Sequence, residues 1–305
     1  MRETHPRRSP SRFSGMPAIL LLPVFLLAGC GGDPGKPQTF KFMVLSDTHI
    51  DGGGAKAGQI DKVRHLQEMV GKINAGEYPG VEFVIITGDL TSVLFGDSDD
   101  NRLTKACDIL KKLTVPYYPA MGNHDHRMDG SVDSNGAFTQ QQIDEAEGIW
   151  KQYTGFDLDY SFTRHGWKMI VLNSMHGKAS NTNFDQAQMA WLEAELAGKE
   201  PTVLFFHFPL ATDAMLKLWG IPGSYEFIEK NDSAALYRIL DGHKDHIKGI
   251  FVGHGHIWEQ DVLYKTIKVW ETASLSAGGR DTASFPHRIV TAGADGSIEA
   301  TRDTK

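Results

Sequence analysis

Five short segments carry side chains suited to binding metal ions. They are Asp47-Thr48-His49, Gly88-Asp89, Gly122-Asn123-His124-Asp125, His207 in a His-Phe-Pro-Leu run, and Gly253-His254-Gly255-His256. Each follows an apolar stretch that reads as a strand. Together they offer imidazole nitrogens with carboxylate and amide oxygens, the mixture that borderline divalent metals prefer. Two such ions held side by side activate water, so the chemistry expected is hydrolytic.

Positioning these side chains requires strands that end at one edge. Residues 40–45 form a short apolar strand, and 81–87 a β-branched run of the kind covered on both faces. Between them Ile60, Val63, Leu66, Val70 and Ile73 recur at helical spacing. A helix over about 100–113 leads into a third strand, 115–121. Three β–turn units thus deliver polar residues at strand ends, where open α/β sheets place their sites. The stretch 129–136 reads as a loop near that site.

The second half reads as more antiparallel. Residues 160–163 and 167–172 form a hairpin around 164–166. Asp185 caps a helix to about Leu196, with Gln188 completing a capping box. Further strands are 202–206, 247–252, 262–264 and 267–271, with two more flanking Asp295-Gly296. The segment 210–230, with Trp219, Pro222 and Tyr225, reads as an irregular insertion, with Trp219 and Tyr225 suited to a lid. In extended backbone, residues i and i+2 point the same way, which predicts that Asp47 pairs with His49 and His254 with His256. The glycines before Asp89, Asn123 and His254 are expected to allow the sharp turns that aim these side chains.

In type and order, this set resembles the calcineurin-like metallophosphoesterase superfamily over essentially the whole chain beyond residue 39. The resemblance implies that Asp47, His49 and His256 bind one metal, that Asp89 bridges two, and that Asn123, His207 and His254 bind the second. It implies that His124 is not a ligand but faces the substrate and pairs with an acidic neighbour. The Tyr-Ser-Phe hairpin, the Asn173-Ser174 strand end and the 186–196 helix are similar to the cyclic-nucleotide phosphodiesterase and acid phosphatase branches. One departure is Ser92, which stands where purple acid phosphatases carry a tyrosine ligand. A tyrosinate-bound ferric site is therefore not expected, and manganese, iron and zinc all stay open.

The fold expected is α/β: a four-layer αββα sandwich with two mixed β-sheets and helices outside. The function expected is hydrolysis of a phosphate monoester or diester by a hydroxide bridging two divalent metal ions, on a small-molecule phosphate ester substrate. His124 would stabilise the transferring phosphoryl group or protonate the leaving oxygen. The alternative is a non-catalytic, lipid-anchored scaffold or binding module on the same fold.

The N-terminus tells a separate story. Arg2, Arg7, Arg8 and Arg12 precede an apolar run from Met16 to Leu27, and Leu27-Ala28-Gly29-Cys30 follows. This pattern is that of a secretory signal peptide over 1–29. It resembles a bacterial lipobox, implying lipidation of Cys30 and a membrane-tethered protein of the cell envelope, on the periplasmic side if the host has two membranes. Residues 30–38 read as a flexible tether and 39–305 as one domain. The formal net charge is −7, and cleavage before Cys30 would remove four arginines and one glutamate. So acidic a balance argues against nucleic-acid binding. Cys107 would be the sole other cysteine, a small buried residue on a helix.

The remaining histidines read more blandly. His65, His165, His243, His246 and His287 are expected to be structural. His126, His176 and Trp258 neighbour the motifs and are candidates for pocket lining. Asp125 is expected to support its neighbours rather than bind metal, and Arg280 to be a surface residue.

Overall fold

A computed structural model describes residues 36–51, 61–94, 101–127, 139–175, 184–219, 227–228, 230, 233–276 and 285–305, without the side chains of 218–219. Cys30, the loop at 129–136, residues 176–183 with His176, Pro222, Tyr225 and Arg280 lie outside the described residues.

In chain order the strands are β1 (Phe40–Leu45), β2 (Val81–Ile86), β3 (Tyr117–Pro119), β4 (Tyr160–Arg164), β5 (Trp167–Val171), β6 (Thr202–Phe205), β7 (Ile247–Val252), β8 (Glu259–Leu263), β9 (Ile267–Glu271), β10 (His287–Ala292) and β11 (Ile298–Asp303). The helices are α1 (Lys62–Asn74), α2 (Arg102–Leu110), α3 (Gln140–Thr154), α4 (Gln186–Glu195), α5 (Asp213–Trp219) and α6 (Ala234–Gly242). One sheet has the order β11-β10-β1-β2-β3, the other β4-β5-β6-β7-β9-β8. Both are mixed, and helices flank them.

Alternation along the strands builds the layers. Phe40, Phe42 and Val44 of β1, Phe83 and Ile85 of β2, and Val203 and Phe205 of β6 share one core with Trp167, Phe251 and Trp270. The intervening residues face the helices: Met43, Leu45, Val84 and Ile86 pack with α1, α2 and α3. Ile170, Leu204, Ile250 and Val252 pack with α4 and α6. Each sheet is thus apolar on both faces, which is why its strands read as near-continuous hydrophobic runs. Cys107 lies buried on α2, and burial pushes its thiol up to about 11.

The second half is more antiparallel than the first, as expected, but the centre of its sheet is parallel. Strands β5, β6, β7 and β9 pair in parallel, while the β4–β5, β8–β9 and β10–β11 pairs are antiparallel. Parallel neighbours need long crossovers. One of these contains α6, with Leu236, Tyr237, Ile239 and Leu240 buried along one face. Helix α3 carries a broken apolar stripe, because two of its inward positions are the polar Glu147 and Thr154. A reciprocal capping box forms there, between Thr139 and Gln142. At α4, Asp185 does accept from the Gln188 amide, at 2.7 Å. The Gln188 side chain, however, turns inward to Asp159 Oδ1 and the Asn173 carbonyl. Part of the 210–230 insertion is helical, as α5. Among the described residues, no helix is long and apolar enough to cross a membrane.

The inter-sheet core sets a stability test. Phe251 is fully buried and stacks on Phe205 and Trp270. Phe251→Ala should cost about 3–5 kcal/mol, read as a lower urea midpoint in metal-stripped protein. Val262→Ala, at a position 49% exposed, should stay within about 0.5 kcal/mol.

Candidate metal centre

The parallel strands of both sheets end at one edge, and the candidate ligands follow β1, β2, β3, β6 and β7. The backbone there is not extended. Asp47, His49, Asp89, His254 and His256 have φ of 51°, 45°, 49°, 72° and 56°. The i and i+2 pairs converge because both members sit in the left-handed region, not because they lie on a strand. Asp and His tolerate that region better than most residues, yet each costs about 1–2 kcal/mol relative to right-handed backbone.

Hydrogen bonds hold the turns in place. The β1 and β2 loops stay laced together through Asp47 N–H to the Gly88 carbonyl (3.1 Å), His49 N–H to the Asp89 carbonyl (2.9 Å) and Ile50 N–H to the Leu90 carbonyl (3.0 Å). Only one of the three glycines turns as expected. Gly88 has φ 99°, and a methyl there would also strike the His207 ring. Gly122 and Gly253 have ordinary φ but leave no room for a side chain, the first against Asp89, the second against Ser46 and Asp47.

All seven candidate ligands meet. Asp47, His49, Asp89 and His256 form one group of converging donor atoms, and Asp89, His207 and His254 a second. Asp89 belongs to both: its Oδ2 lies 3.5 Å from His49 Nε2, and its Oδ1 3.3 Å from His207 Nε2. Asn123 Oδ1 joins the second group, 2.9 Å from His207 Nε2 and 3.1 Å from His254 Nδ1.

This donor set fits cations. His49 Nε2 and His256 Nε2 face each other at 3.0 Å, which two lone pairs cannot do without a proton or cation between them. The buried Asp47 Oδ1 makes no hydrogen bond and faces His256 Nε2 at 3.1 Å. His207 Nδ1–H donates to the Thr87 carbonyl at 2.9 Å, leaving Nε2 as a bare donor turned inward.

The electrostatics agree. Burial would raise the Asp47 carboxyl, but His256 beside it outweighs this and holds it at about 2. Asp89 is likewise buried, yet His207 and His124 keep it well below the usual carboxylate range. Burial would lower His207, but Asp89 outweighs it and lifts the imidazole to about 9. His256 rises for the same reason, against Asp47. Burial dominates at His49, brought down to about 4, and at His254, brought down to about 3 with help from His207. Without a metal, Asp89 and Asp47 favour the protonated forms of His207 and His256.

His124 lies beside this group, its ring edge-on to His49 with centroids 4.6 Å apart. Its backbone N–H donates to Asp89 Oδ1 at 2.8 Å. Among the described residues, no acidic side chain bonds the His124 ring: Nδ1 bonds the Ser92 carbonyl at 2.9 Å, with Arg127 Nη1 at 3.4 Å. Ser92, in turn, donates its hydroxyl to the His49 carbonyl. Asp125 supports rather than binds, accepting from the Leu90, Thr91 and Gly122 amides and the Thr91 hydroxyl. Burial and the nearby Asp89 push its carboxyl up to about 6.

His126 does not line a pocket. It is fully buried and bonds the Gly122 carbonyl. Trp258 packs under the guanidinium groups of Arg288 and Arg302. His65, His165 and His287 take structural places, against Phe285, Glu82 and the Phe285 carbonyl respectively.

Several supporting residues escaped sequence reasoning. Ser46 hydrogen-bonds Asp47 Oδ2 and accepts from Thr87; Ser274 bonds the Asp47 carbonyl. Glu271 pairs with Val252 on one side and Glu259 on the other, the two ends of the His254–His256 loop. Arg288 bonds both the Glu271 and Glu259 carbonyls. Serines and threonines one residue from a ligand were the only sequence signal available.

Comparison with known proteins agrees with this geometry. The chain is 29% identical over 174 residues to a probable cyclic nucleotide phosphodiesterase of Rhodopseudomonas palustris, covering 55% of this chain and 57% of that protein. It is 27% identical over 176 residues to a probable glycerophosphodiester phosphodiesterase of Arcobacter nitrofigilis, covering 54% and 55%. The match thus spans about half the length of these curated relatives. In fold it resembles a dimetal phosphatase from Danio rerio, with TM-score 0.57, 15% identity, and coverage of 86% of this chain and 98% of that one. The family model for calcineurin-like phosphoesterases matches residues 40–258, which takes in every one of the converging donors, and the chain belongs to that family.

Proposed function

We propose that this protein is a binuclear, metal-dependent phosphodiesterase acting on a small phosphate diester. The observation that carries the reading is the sharing of Asp89 between two groups of converging donors. The names of the two curated relatives favour a diester over a monoester.

Asp47, His49, His256 and Asp89 would hold one divalent ion; Asp89, Asn123, His207 and His254 would hold the other. Bound there, such ions supply Lewis-acid activation of water and of a phosphoryl oxygen. The chain's own residues do the rest. The laced loops fix the donors before substrate arrives, so little reorganisation remains. His124 Nδ1 donates to the Ser92 carbonyl, which leaves Nε2 free to take up a proton and pass it to the leaving oxygen. The His124 amide on Asp89 ties this group to the shared carboxylate.

Turnover on an aryl phosphate diester and the matching monoester, with manganese, zinc or iron supplied, tests the reading. The diester should be the faster substrate. His124→Ala should lower kcat about 10²–10⁴-fold while metal content stays unchanged; Asp89→Asn should lose metal and turnover together. A metal-loaded protein that hydrolyses neither ester would contradict the reading and favour a binding module.

A pH dependence follows from the imidazoles. An imidazolium cannot coordinate, and His207, raised to about 9, must release its proton when a cation binds. Apparent Mn²⁺ affinity should therefore climb by at least ~10-fold per pH unit between pH 7 and 8, with protons released to the buffer. Calorimetry in two buffers of different ionisation enthalpy measures both; a flat affinity with no proton release would sink the assignment.

A further inference from the structure

Behind the metal centre, buried polar groups run from the Asn123 loop to the end of β5. His126 Nδ1 donates to the Gly122 carbonyl at 2.9 Å, and its Nε2 lies 3.7 Å from Glu147 Oε1. Glu147 Oε1 accepts from Asn173 Nδ2 at 3.0 Å. Asn173 is a hub with every polar atom engaged. Its amide donates to Asp159 Oδ1, its carbonyl accepts from Gln188, and its Oδ1 accepts from the Met175 amide. The next residue, Ser174, accepts from the Phe208 amide at 3.2 Å, one residue past His207. His126, Asn173 and Ser174 are fully buried, and Glu147 nearly so.

The two ends of this run meet two different candidate ligands. One end holds the Gly122–Asn123 turn, the other the His207–Phe208 turn, and between them Asn123 Oδ1 and His207 Nε2 stand 2.9 Å apart. Asp47 and His49 have other supports, namely Ser46, Ser274 and the lacing between the β1 and β2 loops. The polar run costs desolvation that an apolar filling would avoid, and helix α3 gives up an inward position to Glu147 to complete it.

We propose that His126, Glu147, Asn173 and Ser174 form a buried strut that sets the Asn123–His207 spacing, and so selectively positions the second of the two metal pockets. His126 and Glu147 are positioning residues in this account, not catalytic ones. The inference rests on the binuclear reading above. Its distinguishing consequence is selectivity: damage to the strut weakens one pocket and spares the other, whereas a general packing defect would weaken both.

The test is a Mn²⁺ titration of the full-length protein by calorimetry, with His207→Ala marking which binding event belongs to the second pocket. His126→Ala and Glu147→Ala should weaken that event about 10–100-fold and leave the other within twofold. His126→Asn keeps a donor for the Gly122 carbonyl and gives up only the approach to Glu147, so it should recover part of the loss, while His126→Gln should recover none. If the alanine variants do not fold, the Asn and Gln pair decides alone. Equal weakening of both events, or no change in either, overturns the strut. A wild-type protein that shows fewer than two events overturns the binuclear reading itself, and the strut with it.

Discussion

Two buried carboxylates govern this structure. Asp47 and Asp89 are at most 1% exposed, and each would be costly to keep ionised without positive charge beside it. Four imidazoles and one amide oxygen surround them, and the pKa pattern shows how the balance is struck: His207 and His256 are driven up, His49 and His254 down. A cluster that needs protons in its middle is one that divalent cations can occupy in their place. The demand for that charge links the ligands, the turns that carry them and the buried groups behind.

Fold and site are joined by the turns. Parallel strands from two face-to-face sheets deliver their carboxyl ends to one edge, but a strand end alone would splay the side chains. Left-handed backbone at five of the seven donors folds each side chain back over the edge. That conformation is costly, and strain of this kind persists where surrounding structure fixes it. Here it is fixed by the lacing between the β1 and β2 loops, by Asp125 accepting four hydrogen bonds, and by glycines at 122 and 253 that let chains approach where no methyl would fit.

Much of this was legible in the sequence. Apolar runs gave β1, β2, β6 and β7 nearly to the residue, because strands buried on both faces carry a continuous signal. The ligand types and their order pointed to the family. What stayed hidden depended on tertiary context. The i, i+2 argument led to the right pairs through the wrong backbone, since no local rule places a histidine at φ 72°. The parallel character of the second sheet stayed hidden along with α6, the helix in one of its crossovers. Helix α3 was obscured by Glu147, a polar residue turned into the core to meet Asn173. Among the described residues, His124 Nδ1 bonds a main-chain carbonyl, a kind of partner that sequence has no means to mark.

The most direct test of the central claim is metal content. The full-length protein, exchanged into Mn²⁺ and freed of excess ion, would be measured by elemental analysis beside Asp89→Asn. Two ions per chain, falling to one or none when the shared carboxylate is replaced, is the result this account predicts. A well-folded protein that retains no ion, or one whose content is indifferent to Asp89, would contradict it.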